Sequence, residues 1–272
     1  MSEVFSSLRS GDGVAAVDVE FMRSAGSKRD PRPGLMREAP LDYRDRHVVV
    51  TGGTGALGKA VVGALVEAGA VCHVPFLSVG ETQPWPWRNH ERVRLVGPVE
   101  LTDENAVTEL YGDVPDLWAS IHLVGGFAMM PMRASTKSDL MKQLDLNVVT
   151  AFLCCAAAVG VMSRRKGGRI VNVAARVALE GRTGAGMAAY AASKAAVAAL
   201  TVALAEEVAE QGILVNAVAP SIVDTPANRL AMPQADYSAW PKAEEVAAVI
   251  VYLASPQNRA ARGGVVPVYG RS

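Results

Sequence analysis

The stretch Thr51-Gly52-Gly53-Thr54-Gly55-Ala56-Leu57-Gly58 follows a valine-rich run at residues 47–50 and leads into an alanine-rich helical pattern at residues 56–68. Glycines allow the backbone to turn tightly and to approach a phosphate group closely. The N-terminus of the following helix offers free N–H groups and a positive dipole end to that anion. A glycine cluster alone is also common in ordinary turns, but this one stands between a strand and an amphipathic helix. We therefore predict that it binds the pyrophosphate of a dinucleotide.

From residue 47 onward, strand patterns and helix patterns alternate along the chain. Near-continuous apolar strands separated by helices are typical of a parallel sheet that is covered on both faces. The predicted strands span residues 47–50, 71–76, 93–96, 121–124, 169–173, 213–218 and 265–268. The predicted helices span residues 56–68, 103–111, 138–162, 187–211 and 242–254. The pattern predicts an α/β fold, a single domain built on a doubly wound, Rossmann-like sheet of seven parallel strands.

One helix that this alternation requires is not predicted. Residues 78–91, between the second and third strands, contain Pro84-Trp85-Pro86-Trp87. Two prolines this close together break a helix, and we expect a loop.

The N-terminal segment differs in composition from the rest of the chain. Of residues 1–46, 16 are charged, whereas the other 226 residues hold only 38 charged side chains. The segment is also rich in glycine and proline and lacks a sustained apolar period. We expect a flexible extension at residues 1–45 followed by the dinucleotide-binding and catalytic domain at 46–272. A short arm that packs on a partner subunit is the alternative.

Charge and composition exclude several classes of protein. The 272 residues include 27 basic and 27 acidic side chains, which argues against a nucleic-acid or anionic-membrane surface. The most apolar stretch, residues 148–162, is too short to span a bilayer, and we expect a buried helix there. Three cysteines do not form a disulfide framework, which favours the cytoplasm. The four histidines share no ligand spacing, and we expect no metal.

The segment Tyr190-Ala191-Ala192-Ser193-Lys194 carries a candidate catalytic pair. Positions i and i+4 share one face of a helix, so the phenol and the ammonium point into the same cleft. A nearby cation favours the phenolate and lowers the pKa of a tyrosine, as general acid/base catalysis requires. A Tyr–Lys contact without function is the alternative.

Together, these two motifs resemble those of the short-chain dehydrogenase/reductase family, and the likeness covers roughly residues 47–270. One departure is Ala56, which stands at the family's middle glycine. The resemblance implies an NAD(P)-dependent oxidoreductase that acts on a small-molecule substrate and assembles as a homodimer or homotetramer through its long fourth and fifth helices. It also implies that Tyr190 transfers the proton and that Lys194 binds the nicotinamide ribose as well. Asn147 matches an asparagine that holds a water of the proton relay; a helix-interior asparagine bonded to its own backbone is the alternative.

The same resemblance assigns the cofactor contacts. They fall on Gly52, Thr54, Gly55, Ala56, Leu57, Gly58, Phe76, Ser78, Glu100, Leu101, Val124, Gly125, Gly126, Lys194, Pro220, Val223 and Thr225. An acid that ends the second strand binds the ribose 2′-hydroxyl and repels a 2′-phosphate, but this position holds Phe76. Because no arginine stands there either, the cofactor is NADP or NAD, and Ser78 and Arg88 favour NADP.

The end of the fifth strand departs from the family. Ala175 stands where a serine normally donates a hydrogen bond to the substrate oxygen, a contribution of typically a few kcal/mol. Thr183 is a candidate replacement. The runs Ala174–Leu179, Gly184–Met187, Asp224–Arg229 and Met232–Trp240 carry a narrower resemblance, concentrated in residues 122–127 and 171–240. They resemble dihydropteridine reductase and its bacterial relatives, which lack that serine. It implies hydride transfer to a conjugated imine, quinonoid or carbonyl substrate. A general alcohol dehydrogenase or ketoreductase, and a dinucleotide-binding protein without turnover, remain alternatives.

Overall fold

The computed structural model describes residues 41–83 and 85–272, and it contains one seven-stranded sheet. All strand pairs are parallel, in the order β3-β2-β1-β4-β5-β6-β7. The strands are β1 (His47–Thr51), β2 (Val71–Pro75), β3 (Val93–Val96), β4 (Leu117–His122), β5 (Gly168–Val173), β6 (Ile213–Pro220) and β7 (Val265–Val268). The order reverses between β1 and β4, and ligands of doubly wound sheets bind at such a point. The predicted fold is therefore confirmed.

Helices cover both faces of the sheet. They are α1 (Ala56–Glu67), α2 (Glu104–Gly112), α3 (Lys137–Leu144), α4 (Thr150–Met162), α5 (Arg176–Leu179), α6 (Ala188–Glu207), α7 (Pro226–Ala231) and α8 (Ala243–Leu253). One buried cluster joins α1 and α8 to the sheet, and a second joins α2, α4 and the C-terminal half of α6 to it. The site-bearing ends of β1, β4, β5 and β6 therefore stand on a sheet that is packed on both sides.

The fourth strand begins and ends earlier than predicted, at Leu117 and His122 instead of residues 121–124. Its buried polar side chains conceal the strand pattern. The Ser120 hydroxyl lies 2.7 Å from His122 Nε2, and His122 Nδ1 lies 2.8 Å from Asn172 Oδ1 on β5. These hydrogen bonds satisfy the polar groups inside the core. The strand ends at His122, and residues 123–126 leave the sheet toward the site.

The helix predicted at residues 138–162 is divided into α3, a π-helical turn at Asp145–Val149, and α4. A π-helical turn inside an α-helix is rare and frequently marks a functional site. Asn147 lies in this turn. By length and composition alone, the whole stretch Lys137–Arg165 and the helix α6 could cross a membrane. Within that stretch α4 packs against β4, and α6 packs against β6.

The expected loop between β2 and β3 contains one short 3-10 turn, Val79–Thr82. Trp85 is only 3% exposed and belongs to the core, while the indole N–H of Trp87 donates to the Lys59 carbonyl at 3.1 Å. The two tryptophans therefore hold this loop against α1.

The described residues from Leu41 onward form one compact unit. Of the predicted N-terminal extension, residues 1–40 lie outside the described residues. Tyr43 is fully buried, and its hydroxyl donates to the Val251 carbonyl on α8. The packed domain therefore includes residues that the predicted boundary at position 46 assigned to the extension.

Candidate active site

The glycine-rich turn is shaped by close backbone approaches. Gly52 has φ +68°, and a Cβ added there would meet the Val124 nitrogen at 2.8 Å. A Cβ added at Gly58 would overlap the Gly52 carbonyl oxygen. Glycine is therefore required at both positions, and the turn lies against the residues that follow β4.

The start of α1 is open to an anion. Gly55 is its N-cap, and in the described part of the chain no side chain caps the first turn and no acid lies in it. The free N–H groups and the positive dipole end therefore face the turn. Ala56, which replaces the family's middle glycine, is exposed, so its methyl group has room. This cradle fits a pyrophosphate.

Two of the three predicted catalytic side chains, Asn147 and Lys194, converge at Gly125. A Cβ added at Gly125 would lie 2.7 Å from Asn147 Oδ1 and 3.1 Å from Lys194 Nζ. Lys194 is buried, and its ammonium donates to the Val173 carbonyl at the end of β5 at 2.9 Å. Tyr190 lies one helical turn before Lys194. The structure thus brings together segments that are far apart in the sequence.

Asn147 joins the π-helical turn to the segment after β4. Its Oδ1 accepts the Gly126 N–H at 2.9 Å, and its Nδ2 donates to the Gly126 carbonyl at 3.0 Å. Nδ2 also donates to Ser193 Oγ at 3.0 Å, and the Ser193 hydroxyl donates to the Tyr190 carbonyl at 2.8 Å. The side-chain bonds of Asn147 therefore do not return to its own backbone. Sequence reasoning missed Ser193, although it stands inside the Tyr190–Lys194 motif.

Burial dominates the electrostatics of the pair. It raises the pKa of Tyr190 to about 12 and lowers the pKa of Lys194 to about 8. The expectation that Lys194 lowers the pKa of Tyr190 is wrong for this structure, because the ammonium is bonded to the Val173 carbonyl and the phenol is largely desolvated. At neutral pH, Tyr190 is protonated, which is the form that a proton donor needs.

Two side chains beside this pair bear on the substrate. Phe127, which is 62% exposed, packs edge-on against Tyr190 with ring centroids 5.0 Å apart. Ala175 is buried at the start of α5 and presents no hydroxyl. The Thr183 hydroxyl donates to the Glu180 carbonyl at 2.8 Å, within its own turn. That bond gives no support to Thr183 as a replacement for the missing serine.

The residues predicted to contact the adenosine end of the cofactor are engaged by other residues of the protein. The ring of Phe76 lies against Gly97, where an added Cβ would meet it at 3.3 Å. Glu100 Oε1 accepts the Thr102 N–H at 3.1 Å and the Thr102 hydroxyl at 2.8 Å, and Leu101 is buried. The Glu100 carboxylate is thus engaged within its own turn, and contact with an adenine stays a prediction.

The segment after β6 is fixed by its own bonds. Pro220 ends the strand inside the core, and the Val223 carbonyl accepts Asn228 Nδ2 at 2.8 Å. Thr225 Oγ1 accepts the Asn228 N–H at 3.2 Å as the N-cap of α7, so its hydroxyl proton is free to donate elsewhere. Asp224 pairs with Arg229 at 2.6 Å and with Lys242. These contacts hold Val223 and Thr225 in a structured loop.

Comparisons with known proteins agree with this geometry. The sequence profile described as short chain dehydrogenase matches residues 46–236. The chain is 28% identical over 254 residues to the 3-oxoacyl-[acyl-carrier-protein] reductase FabG of Vibrio cholerae, covering 85% of this chain and 98% of the relative. It is 30% identical over 256 residues to 2,3-dihydroxy-2,3-dihydro-p-cumate dehydrogenase of Pseudomonas putida, covering 88% of this chain and 98% of the relative. The crystal structure of gox2181 matches with a TM-score of 0.79 at 28% identity, over 85% of this chain and 96% of that one.

The open start of α1, the glycine turn and the convergence at Gly125 together fit a nicotinamide dinucleotide. The relatives are a ketoacyl reductase and a dihydrodiol dehydrogenase, so they support the broad family and leave the narrower resemblance to dihydropteridine reductase as a prediction. The chain belongs to the short chain dehydrogenase family and is an NAD(P)-dependent oxidoreductase.

Proposed function

We propose that this protein is an NAD(P)H-dependent reductase that transfers hydride to a conjugated imine, quinonoid or carbonyl substrate, with Tyr190 as the proton donor. The observation that carries the proposal is geometric: the Tyr190 phenol lies one helical turn before Lys194, whose ammonium converges with Asn147 at Gly125. A phenol that stays protonated at neutral pH can give a proton to the reduced substrate.

Each side chain of the site has a distinct task in this proposal. The turn at Gly52–Gly58 and the first N–H groups of α1 bind the pyrophosphate, and Val223 and Thr225 bind the carboxamide end. Lys194, one helical turn after Tyr190, holds the nicotinamide ribose. Asn147 holds a water of the relay that returns a proton to Tyr190. The dinucleotide supplies the hydride when it is bound.

The narrower substrate class is supported by Ala175. A ketone gains negative charge on its oxygen during reduction, and a second hydrogen-bond donor stabilises that charge. A quinonoid dihydropterin is already electron-poor, so a single acid suffices for it. Phe127 places an aromatic edge beside Tyr190, and a planar ring fits such a surface. We therefore place a dihydropteridine-reductase-like substrate first.

A ketoreductase or alcohol dehydrogenase is the second candidate, because the relatives named above act in those classes. Consumption of NAD(P)H by the purified full chain, with quinonoid dihydropterin compared against a panel of small ketones and a 3-ketoacyl thioester, tests the choice. Turnover of the pterin with little turnover of ketones supports the first candidate. The reverse result supports the second, and tight cofactor binding with no turnover of any substrate supports a binding protein.

We also propose that the protein is cytoplasmic and acts as a homodimer or homotetramer. The outer faces of α4 and α6 expose apolar side chains, among them Phe152 at 54% and Val202 at 45%. A second copy of the chain would bury them. Light scattering after size exclusion measures the assembly, and a Phe152→Glu variant that stays in the same assembly as the wild type would place the interface elsewhere.

A further inference from the structure

A carboxylate stands between the glycine-rich turn and the loop after β2. Glu81 Oε2 accepts the Thr54 hydroxyl at 3.1 Å, and Glu81 Oε1 accepts the Ser78 N–H at 3.1 Å. Thr54 belongs to the turn that binds the pyrophosphate, and Ser78 lies three residues beyond the end of β2. Glu81 is exposed and therefore accessible to a bound molecule.

This is the place where dinucleotide-binding sheets distinguish their cofactors. In such folds an acid at the end of the second strand binds the 2′-hydroxyl of the adenosine ribose, beside the first turn. Here that position holds Phe76, whose ring lies against Gly97. Glu81 brings a carboxylate to the same region from the 3-10 turn Val79–Thr82, five positions further along the chain.

The loop that carries Glu81 is held in place. The Thr82 hydroxyl donates to the Val79 carbonyl at 2.9 Å and closes the 3-10 turn. The buried ring of Trp85 and the Trp87–Lys59 hydrogen bond fasten the following residues to the core and to α1. The position of the carboxylate is therefore set by packing and by its hydrogen bonds to Thr54 and Ser78.

Among the described residues, no cation pairs with this carboxylate. Within residues 41–83 and 85–272, no lysine, arginine or histidine forms an ion pair with Glu81. Arg88, which the sequence suggested as a partner for a 2′-phosphate, is exposed and forms no ion pair with any described residue. A 2′-phosphate brought to this place meets uncompensated negative charge, whereas a 2′-hydroxyl can donate to the carboxylate.

We propose that Glu81 selects the cofactor and makes the protein prefer NAD(H) over NADP(H). The proposal rests on the use of a nicotinamide dinucleotide at the site described above. It opposes the preference for NADP that the sequence predicted from Ser78 and Arg88. Thr54 and Ser78 are positioning residues in it, because they orient the carboxylate through hydrogen bonds.

Dissociation constants of NADH and NADPH, measured by fluorescence titration of the full chain, test the proposal without relying on turnover. Wild type should bind NADH at least tenfold more tightly than NADPH. Glu81→Gln keeps the size of the side chain and removes the charge, so NADPH affinity should rise at least tenfold while NADH affinity changes less. Glu91→Gln, an exposed change of the same kind in the same loop, should leave the ratio unchanged.

Two further measurements separate charge from loop structure. The preference of the wild type should weaken as salt is added, because screening reduces repulsion between exposed charges. Adding Phe76→Asp to Glu81→Gln should restore the preference for NADH, because the acid returns at the family's usual position. A wild type that binds NADPH at least as tightly as NADH overturns the proposed role of Glu81 and leaves the proposed function standing. A Glu81→Gln variant with an unchanged ratio of NADH to NADPH affinity has the same consequence. A wild type that binds neither dinucleotide overturns the proposed function and this inference together.

Discussion

The ammonium of Lys194 donates to the carbonyl of Val173 at 2.9 Å. This bond ties the helix that carries Tyr190 to the end of β5, two residues before Ala175. Burial lowers the pKa of Lys194 to about 8, so the charge is retained near neutral pH but lost in mild base. Lys194 therefore both ties α6 to the end of β5 and supplies a positive charge to the site.

Replacing Lys194 with alanine should lower both turnover and cofactor affinity, since the change removes the ribose contact and the charge beside Tyr190. In the wild type, cofactor affinity should fall as the pH rises through about 8, because the protonated ammonium is the form that favours the anionic ligand. Titration of the cofactor at several pH values checks this. A Lys194→Ala variant with the same pH dependence as the wild type would remove Lys194 as its cause.

The change Tyr190→Phe removes one oxygen and leaves α6 and the phosphate turn intact. Loss of a general acid typically lowers the rate by about 10²–10⁴-fold, and we expect kcat to fall by that amount with little change in cofactor affinity. Steady-state kinetics and cofactor titration of the same preparation measure both quantities. Turnover equal to that of the wild type would exclude Tyr190 as the proton donor.

The change Ala175→Ser restores the family's missing donor. If the substrate needs only one acid, quinonoid turnover should stay nearly constant, while ketone reduction should increase. Rates of the wild type and the variant on both substrate classes give the answer. A gain of tenfold or more on the quinonoid would show that the absence of the serine limits the natural reaction, contrary to our proposal.

Stability should fall as the pH is lowered from about 6.5 to 4. Burial lowers the pKa of His122 to about 4, and burial together with His47 and Arg94 lowers that of His73 to about 4. The unfolded chain therefore binds protons in this window that the folded chain excludes. Each such proton lowers the free energy of unfolding by about 1.4 kcal/mol per pH unit. Urea unfolding at several pH values measures the slope. His122→Asn should show a shallower slope, and an unchanged slope would contradict the role of His122.

Deleting residues 1–40 should leave cofactor affinity unchanged, because the first described contacts of the domain begin at Leu41 and Tyr43. Extending the deletion to residue 46 should lower the melting temperature, because it removes the buried ring of Tyr43 and its bond to Val251. Fluorescence titration and thermal unfolding of both deletions test this. A shorter deletion that folds but fails to bind NAD(P)H would place the N-terminal segment in the site.

Local patterns predicted the sheet, the glycine turn and the Tyr190–Lys194 pair. The period with which apolar residues recur indicates strands and helices. A spacing of four residues places two side chains on one helical face. β4 was misplaced because its polar residues are satisfied by Tyr111 and Asn172, which come from other elements of the fold. A strand that buries a hydrogen-bonded network does not show an apolar run.

By itself, the sequence determined the fold and the family, and it predicted the Tyr190–Lys194 pair, because each depends on residue type and short-range spacing. Only the tertiary structure decided that Asn147 binds Gly126, that Lys194 faces Val173, and that Glu81 meets Thr54. It also decided that the pKa of Tyr190 is raised and not lowered. The physical reason is that hydrogen-bond partners and desolvation come from segments brought together by packing, and local spacing contains no information on either.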